Sequence, residues 1–427
     1  MRLQIEKAVY GGSGLAHQTE DEGAGRAVFV PFTLPGEVVD ASLTDETEAV
    51  LVQVLEPSAD RVKPGCAHFG KCGGCHYQHS DYATQVAMKA AILRETLERA
   101  GLDPLPEVEV HSAEPWGYRN RTQLRVKQAD GAVSVGYNRR GTNEFLPIGE
   151  CPILAPLLWR AAKALVQIAA EDSAAGSWAR GAVEVELFTN SDEQKMQMTV
   201  FVQKDQIGFN GFCEHMRELV PELVGAGASL SSALRRTQRA RQLGSWGADG
   251  LSYRAADQNY WVSRGGFFQV NRFLQDELVR AVTADREGAL AWDLYAGVGL
   301  FSRVLDRGFE QVVAVEAAAS DLVKSFKGAG KRAVEATTVE FLRGAVVQRE
   351  RPDLVVMDPP RAGVGAEVCA LLARVSAPTM VYVSCDPVTL TRDLKILCDA
   401  GYSVAELHMV DLFPQTFHLE SVVILRR

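Results

Sequence analysis

Leu290-Ala291-Trp292-Asp293-Leu294-Tyr295-Ala296-Gly297-Val298-Gly299 reads as a short apolar strand running into a Gly-x-Gly turn. Glycines so close together let the backbone turn sharply and approach a ligand with no Cβ in the way. Further apolar strands follow at Val312-Val313-Ala314-Val315-Glu316, at Leu354-Val355-Val356-Met357-Asp358 and at Thr379-Met380-Val381-Tyr382-Val383-Ser384. Near-continuous apolar strands separated by helical stretches predict a parallel, doubly wound sheet. Ligands in such sheets bind beyond the carboxyl ends of the strands. Asp293, Glu316, Asp358 and Cys385 all fall at or just past those ends.

Upstream the pattern differs. Residues 1–57 place short apolar runs (27–30 and 49–55) between the turn signals Gly11-Gly12-Ser13-Gly14 and Pro35-Gly36, which predicts a small β-barrel. Residues 83–100 carry apolar positions at helical spacing, with Gly101 just beyond, and predict a helix. The middle, to about residue 280, alternates strands (122–126, 197–202) and turns. Glu171 to Gly181 is small and polar and reads as an exposed loop, and 273–284 reads as a helix. The division expected is 1–57, 58–280 and 281–427, with no internal repeat.

At 427 residues, 47% hydrophobic and 23% charged, the composition is that of an ordinary soluble globular protein. No apolar run approaches the roughly 18 residues needed to span a bilayer. The segment 1–7 lacks an apolar signal core, so the cytoplasm is the default expectation. The net charge of −9 argues against a polyanion partner only in bulk. Residues 1–57 hold 3 Lys/Arg against 10 Asp/Glu, whereas the middle carries local basic clusters. These are Arg119, Arg121, Arg125 and Lys127, then Arg139 and Arg140, then Arg235, Arg236, Arg239 and Arg241. Nucleic-acid contact needs local positive potential rather than a basic total.

Gly297-x-Gly299 is followed by Leu300-Phe301-Ser302, so the third glycine of a dinucleotide fingerprint is missing. Glu316 ends the next strand, where a carboxylate can accept hydrogen bonds from both ribose hydroxyls. Together these favour S-adenosylmethionine over NAD. Asp358-Pro359-Pro360-Arg361 forms a rigid wall at a strand end, since each proline fixes φ and removes a donor. Amine methyltransferases carry an aromatic residue fourth in such a segment; here it is Arg361, with a cysteine strand following. That combination points to methylation of a ring carbon. Carbon 5 of uracil becomes nucleophilic once a thiolate adds to carbon 6, and a base must then remove the carbon-5 proton. Cys385 is the candidate nucleophile. Glu420 is the candidate base, with His418 as its competitor. A stacked uracil is out of reach, so a flipped base or looped substrate is expected, and Tyr118-Arg119-Asn120-Arg121 could supply stacking and phosphate contacts.

The eight cysteines are unevenly placed. Cys66, Cys72 and Cys75 share one loop loosened by Gly73-Gly74, which suggests a metal or cofactor. With a fourth ligand from elsewhere, Zn²⁺ or a cubane iron–sulfur cluster would fit.

The chain resembles, nearly end to end, the RNA 5-methyluridine methyltransferases, most closely the rRNA-modifying branch with an N-terminal TRAM domain. Val30-Pro31-Phe32-Thr33-Leu34-Pro35-Gly36-Glu37, Phe267-Phe268-Gln269-Val270-Asn271, Asp293 to Gly299, Ser384-Cys385-Asp386-Pro387 and His418-Leu419-Glu420 carry the likeness. It implies an α/β architecture: a TRAM-like barrel, a central α+β domain with an iron–sulfur cluster, and a C-terminal Rossmann-like class I methyltransferase domain. It also implies that Gln269, Tyr295, Gly297, Glu316 and Asp358 contact S-adenosylmethionine. A [4Fe–4S] cluster is implied on Cys66, Cys72, Cys75 and, in the matching Glu150-Cys151-Pro152, Cys151. Leu300 departs from the family's frequent Asn or Thr. The expected partner is RNA, with rRNA favoured over the tRNA T-loop. Cytosine-5 methylation and a non-catalytic RNA-binding role are the rivals, and a monomer is expected.

Overall fold

The computed structural model describes residues 1–18, 25–129, 131–231 and 241–427. By contact the chain divides into two compact units, Met1–Pro115 with Val339–Arg427, and Trp116–Thr338. This division cuts across the boundaries at 57 and 280 that sequence pattern suggests. Arg235, Arg236 and Arg239 lie outside the described residues.

In the first unit the N-terminal strands form two three-stranded sheets. One orders Arg2–Gln4, Val38–Leu43 and Ala49–Glu56; the other orders Lys7–Ala8, Ser13–His17 and Ala27–Pro31. Leu3, Ile5, Ala16, Val28, Val30, Val39, Ala41 and Ala49, drawn from both, make one apolar core. Gly14 is required there, because a Cβ would lie 2.3 Å from Thr33 Oγ1 and 2.7 Å from the Ile5 side chain. The predicted helix spans Tyr82–Arg99, with Asp81 capping the Thr84 amide. Met88, Ile92, Leu93 and Leu97 line its buried face, and Lys89 on the same face pairs with Asp411 at 2.6 Å, both fully buried.

The C-terminal part of this unit pairs Leu354–Met357 with Thr379–Ser384 in parallel. Its far side is not parallel as expected. Glu420–Arg426 runs antiparallel to both Thr379–Ser384 and Ser403–Val410. The link from Val410 to Glu420 is too short for a parallel crossover, which needs a dozen or more residues, so the chain turns back as a hairpin. Val108–His111 adds a parallel edge strand on Ser403–Val410.

In the second unit a seven-stranded sheet runs from Phe145–Pro147 to Gln242–Gly247. A separate set, Gly288–Leu294, Phe309–Glu316 and Lys331–Glu335, pairs wholly in parallel. The loop expected at 171–181 is largely a helix, Ala174–Gly181. Ser173 caps it, and the buried Trp178 stacks against Phe212 and donates to the Ile207 carbonyl at 2.8 Å. One aromatic anchor outweighs a run of small residues whose own helical preference is weak. Tyr118 and Asn120 are fully buried, so neither is a surface contact for RNA. Arg121 is also committed inside, to Glu186 at 3.2 Å, the Gly266 carbonyl at 2.7 Å and the face of Phe188. Among the described residues no helix is long and apolar enough to cross a membrane.

Candidate active site

The first unit brings Asp358, Cys385 and Glu420 together at strand ends. Asp358 follows Leu354–Met357, and Cys385 follows Thr379–Ser384. Ser384 pairs with Ser421 across the antiparallel ladder, and Ser421 Oγ donates to the Ser384 carbonyl at 3.1 Å. One step outward along that register sets Cys385 opposite Glu420. Asp386 then turns the chain into the helix Pro387–Asp399, accepting from the Val388 and Thr389 amides at 3.0 Å each. The positive end of the helix therefore lies next to the thiol.

Burial pushes the Cys385 thiol up to about 11, and the nearby Glu420 charge adds to this, with Asp358 contributing less. Arg361 opposes both by its charge and by a hydrogen bond to the sulfur. Burial and then Asp358 hold the Glu420 carboxyl well above the usual carboxylate range, with Arg361 again acting the other way. The thiol and the Glu420 carboxyl are thus both pushed up by burial and like charge and both pulled down by one guanidinium. Neighbouring groups that strongly perturb each other's proton affinity mark functional sites.

Arg361 Nη2 also donates to His418 Nδ1 at 3.1 Å. A guanidinium can only donate, so His418 accepts there as a neutral ring. That arrangement disfavours His418 as the competing base. Around it stand Phe417, Phe413 and His76, with ring centroids 4.2, 5.8 and 6.5 Å away. Tyr10 packs edge-on to Phe417 and donates to Asp386 at 3.2 Å. Neither Tyr10 nor Arg361 is assigned a role by sequence reading. Tyr10 precedes the Gly11-Gly12 turn, and nothing in its spacing ties it to a residue 376 positions away. Asp393, also unforeseen, is fully buried and fixes the loop after Arg361, accepting from Tyr382 Oη and the Val364 amide at 2.8 Å each.

In the second unit Tyr295, Gly297 and Gly299 all take positive φ at the end of Gly288–Leu294 (64°, 55° and 85°). A Cβ on Gly297 would project into open space, so the turn leaves room for a ligand. Glu316 accepts from the Gly297 and Ala318 amides, both at 3.0 Å. Each of its oxygens retains acceptor capacity. Asp293 is fully buried, accepts from the Ser302 amide at 2.9 Å and from Ser302 Oγ, and keeps Oδ1 without a protein partner. Burial raises its pKa to about 7. Gln269 is buried, its carbonyl accepting from Asn120 and Gln275 at 2.9 Å each. Leu300 is buried and apolar, and its carbonyl accepts from Tyr260 Oη at 2.9 Å.

None of the eight cysteines is in a disulfide. Cys66, Cys72 and Cys75 share one loop of the first unit. His68 N donates to Cys66 Sγ at 3.4 Å, and burial pushes the Cys72 thiol up, with Cys66 adding less. Cys151 belongs to the second unit, with the Tyr137 hydroxyl 4.0 Å from its sulfur.

Residues 331–427 match the model of the tRNA (uracil-5-)-methyltransferase family. The 23S rRNA (uracil(1939)-C(5))-methyltransferase RlmD of Chromohalobacter salexigens is 32% identical, over 100% of this chain and 89% of its own. The chain belongs to the RNA uracil-5-methyltransferase family. An Aquifex aeolicus RNA methyltransferase is 31% identical over 100% of this chain and 98% of its own. The crystal structure of Pyrococcus abyssi tRNA (uracil-54, C5)-methyltransferase with S-adenosyl-L-homocysteine shares the fold, with a TM-score of 0.75, 23% identity and 99% of each chain covered.

Proposed function

We propose that the protein methylates carbon 5 of a uridine in 23S rRNA through a transient bond between Cys385 and carbon 6 of the base. The observation carrying this reading is the register that sets Cys385 opposite Glu420, with Arg361 on the sulfur. The rRNA choice rests on the RlmD relative at 32% identity.

Gln269, Tyr295, Gly297, Glu316 and Asp358 would hold S-adenosylmethionine, which when bound supplies an electrophilic methyl group. The open Gly297 turn fits such a ligand. Arg361 favours the thiolate of Cys385, which adds to carbon 6 and leaves carbon 5 as the enolate carbon. Once carbon 5 carries the methyl, Glu420 takes its proton, the carbon 5–carbon 6 double bond re-forms, and Cys385 departs as thiolate. A base with raised proton affinity suits this step at neutral pH. Tyr10, Phe417 and His418 offer ring faces and edges for an unstacked base.

Cys66, Cys72, Cys75 and Cys151 would hold a [4Fe–4S] cluster, for which an all-thiol donor set is suited. No step above needs electron transfer, so its role is structural or RNA-positioning.

Incubation with tritiated S-adenosylmethionine and either 23S rRNA or tRNA, followed by nucleoside analysis, tests the reading. Label is expected as 5-methyluridine in 23S rRNA. Label confined to tRNA would overturn the substrate, and 5-methylcytidine would overturn the chemistry. Iron and sulfide analysis of anaerobically purified protein is expected to find both; zinc, or no metal, would remove the cluster.

A further inference from the structure

Away from the thiol, the edge of the first unit's sheet carries a second group of chemically active side chains. Val108–His111 lies parallel to Ser403–Val410, with Glu109 beside His408 and His111 beside Val410. Side chains two apart on a strand share a face, so Glu109, His111, Glu406 and His408 all project from one side of this two-strand edge.

Two imidazole nitrogens and the two oxygens of one carboxylate converge there. His111 Nε2 and His408 Nδ1 are 3.1 Å apart. Glu109 Oε1 stands 3.6 Å from the first, and Glu109 Oε2 stands 3.5 Å from the second. Zinc binds imidazole nitrogen and carboxylate oxygen at about 2.0–2.2 Å with tetrahedral geometry, which makes the ligand-to-ligand edge about 3.3 Å. These separations are near that edge length, and one donor atom from each of the three residues lies within 4.8 Å of the other two. The two histidine side chains are nearly buried, at 10% and 9% exposure, and the Glu109 side chain is 65% exposed. The fourth position therefore opens toward solvent. Beside this group, Glu406 Oε2 lies 3.8 Å from His408 Nε2, just beyond hydrogen-bond reach, and Arg426 holds Glu406 at 2.9 Å. A small side-chain movement would close that gap, and a carboxylate on the far ring nitrogen is the usual means of orienting a metal-bound histidine.

We propose that Glu109, His111 and His408 form a binding site for a borderline divalent cation of the Zn²⁺ class, separate from the thiols, with water as the fourth ligand. Two imidazoles and a carboxylate suit Zn²⁺, Co²⁺ or Ni²⁺ and do not suit the all-oxygen cations. The ion ties a four-residue edge strand to the strand beside it, adding to one parallel ladder, the Asp411 amide on the His111 carbonyl and the packing of the helix Tyr82–Arg99. The bare alternative is a hydrogen bond between the two histidines with no metal.

Co²⁺ titration of the full-length protein, read by absorption, separates these cases. Thiolate ligation gives intense charge-transfer bands, whereas nitrogen and oxygen ligands give ligand-field bands alone. One equivalent of Co²⁺ with ligand-field bands only, displaced by Zn²⁺, is expected. His111→Ala is expected to weaken it about 100-fold or more, since losing even an outer partner costs about 10–100-fold. Glu406→Gln is expected to weaken it about tenfold. Glu109→Gln, on an exposed side chain, tests the site without disturbing folding and should also weaken binding. Unchanged Co²⁺ affinity in His111→Ala and Glu109→Gln, or wild-type binding only above millimolar Co²⁺, would leave the hydrogen-bonded pair and overturn the site.

Discussion

Two sets of strand ends in this protein are built on opposite principles. At the end of Gly288–Leu294 the backbone does most of the work: three residues in positive φ form a turn, and Glu316 is held by two main-chain amides. At the ends of Thr379–Ser384 and Glu420–Arg426 the side chains face one another, and burial and like charge push both the thiol of Cys385 and the carboxyl of Glu420 up. A region whose polar groups are mostly satisfied is suited to hold a ligand. A region whose groups compete for protons is suited to move them. Asp293 is the exception on the first side, since burial raises its pKa to about 7 and its buried Oδ1 has no protein partner.

The comparison predicts where substitutions register. Cys385→Ala removes the sulfur proposed to bond carbon 6, so methyl transfer should fall on the order of 10⁴-fold or more. Filter-binding of tritiated RNA measures this, and residual activity within tenfold of wild type would move the chemistry elsewhere. Glu420→Gln keeps the shape but cannot take the carbon-5 proton. Turnover should drop by about 10²–10⁴-fold, while an RNA–protein adduct stable to denaturing gels builds up. A variant that loses turnover without accumulating adduct would assign Glu420 to an earlier step.

Arg361 sharpens the proton competition. A thiolate forms as pH rises toward a pKa near 11, so alkylation of Cys385 by iodoacetamide should climb about tenfold per pH unit below it. An opposite charge is worth about 1–3 pKa units to its neighbour. Arg361→Gln should therefore shift that profile to higher pH and slow both alkylation and methyl transfer at pH 7 by about tenfold or more. An unchanged profile would reduce Arg361 to a partner of His418.

Sequence displayed these two regions unequally. The strand-end positions of Cys385, Asp358 and Glu316 follow from apolar runs of fixed length, so local pattern alone places them. Glu420 opens an antiparallel strand, and its placement depends on a hairpin that no local pattern announces. Arg361 could be read as a departure from an aromatic position but not as the cation on the sulfur, because that contact joins loops after different strands. Tyr10 illustrates the same point over a longer span. Tyr118 and Arg121 failed as surface contacts because alternation fixes which face a residue takes, not whether another layer covers it. Trp178 reversed the reading of 171–181, since one tertiary contact decides more than ten weak local preferences.

The smallest effect expected lies on the binding side. Glu316→Gln keeps one side-chain acceptor for the Gly297 or Ala318 amide but loses the charge that strengthens both bonds and any bond to a ribose. Hydrogen bonds to charged groups contribute about 1.5–3 kcal/mol, against about 1 kcal/mol for neutral ones. The difference corresponds to a KM for S-adenosylmethionine raised by about tenfold. Because Glu316 belongs to the turn and not to the proton competition, kcat should stay within about twofold of wild type, since binding lost equally from ground and transition states leaves the chemical step alone. The pH profile of Cys385 alkylation should not move. A fall in kcat at unchanged KM would mean that the turn shapes the reacting geometry itself, and the separation between a ligand-holding strand end and a proton-moving one would fail.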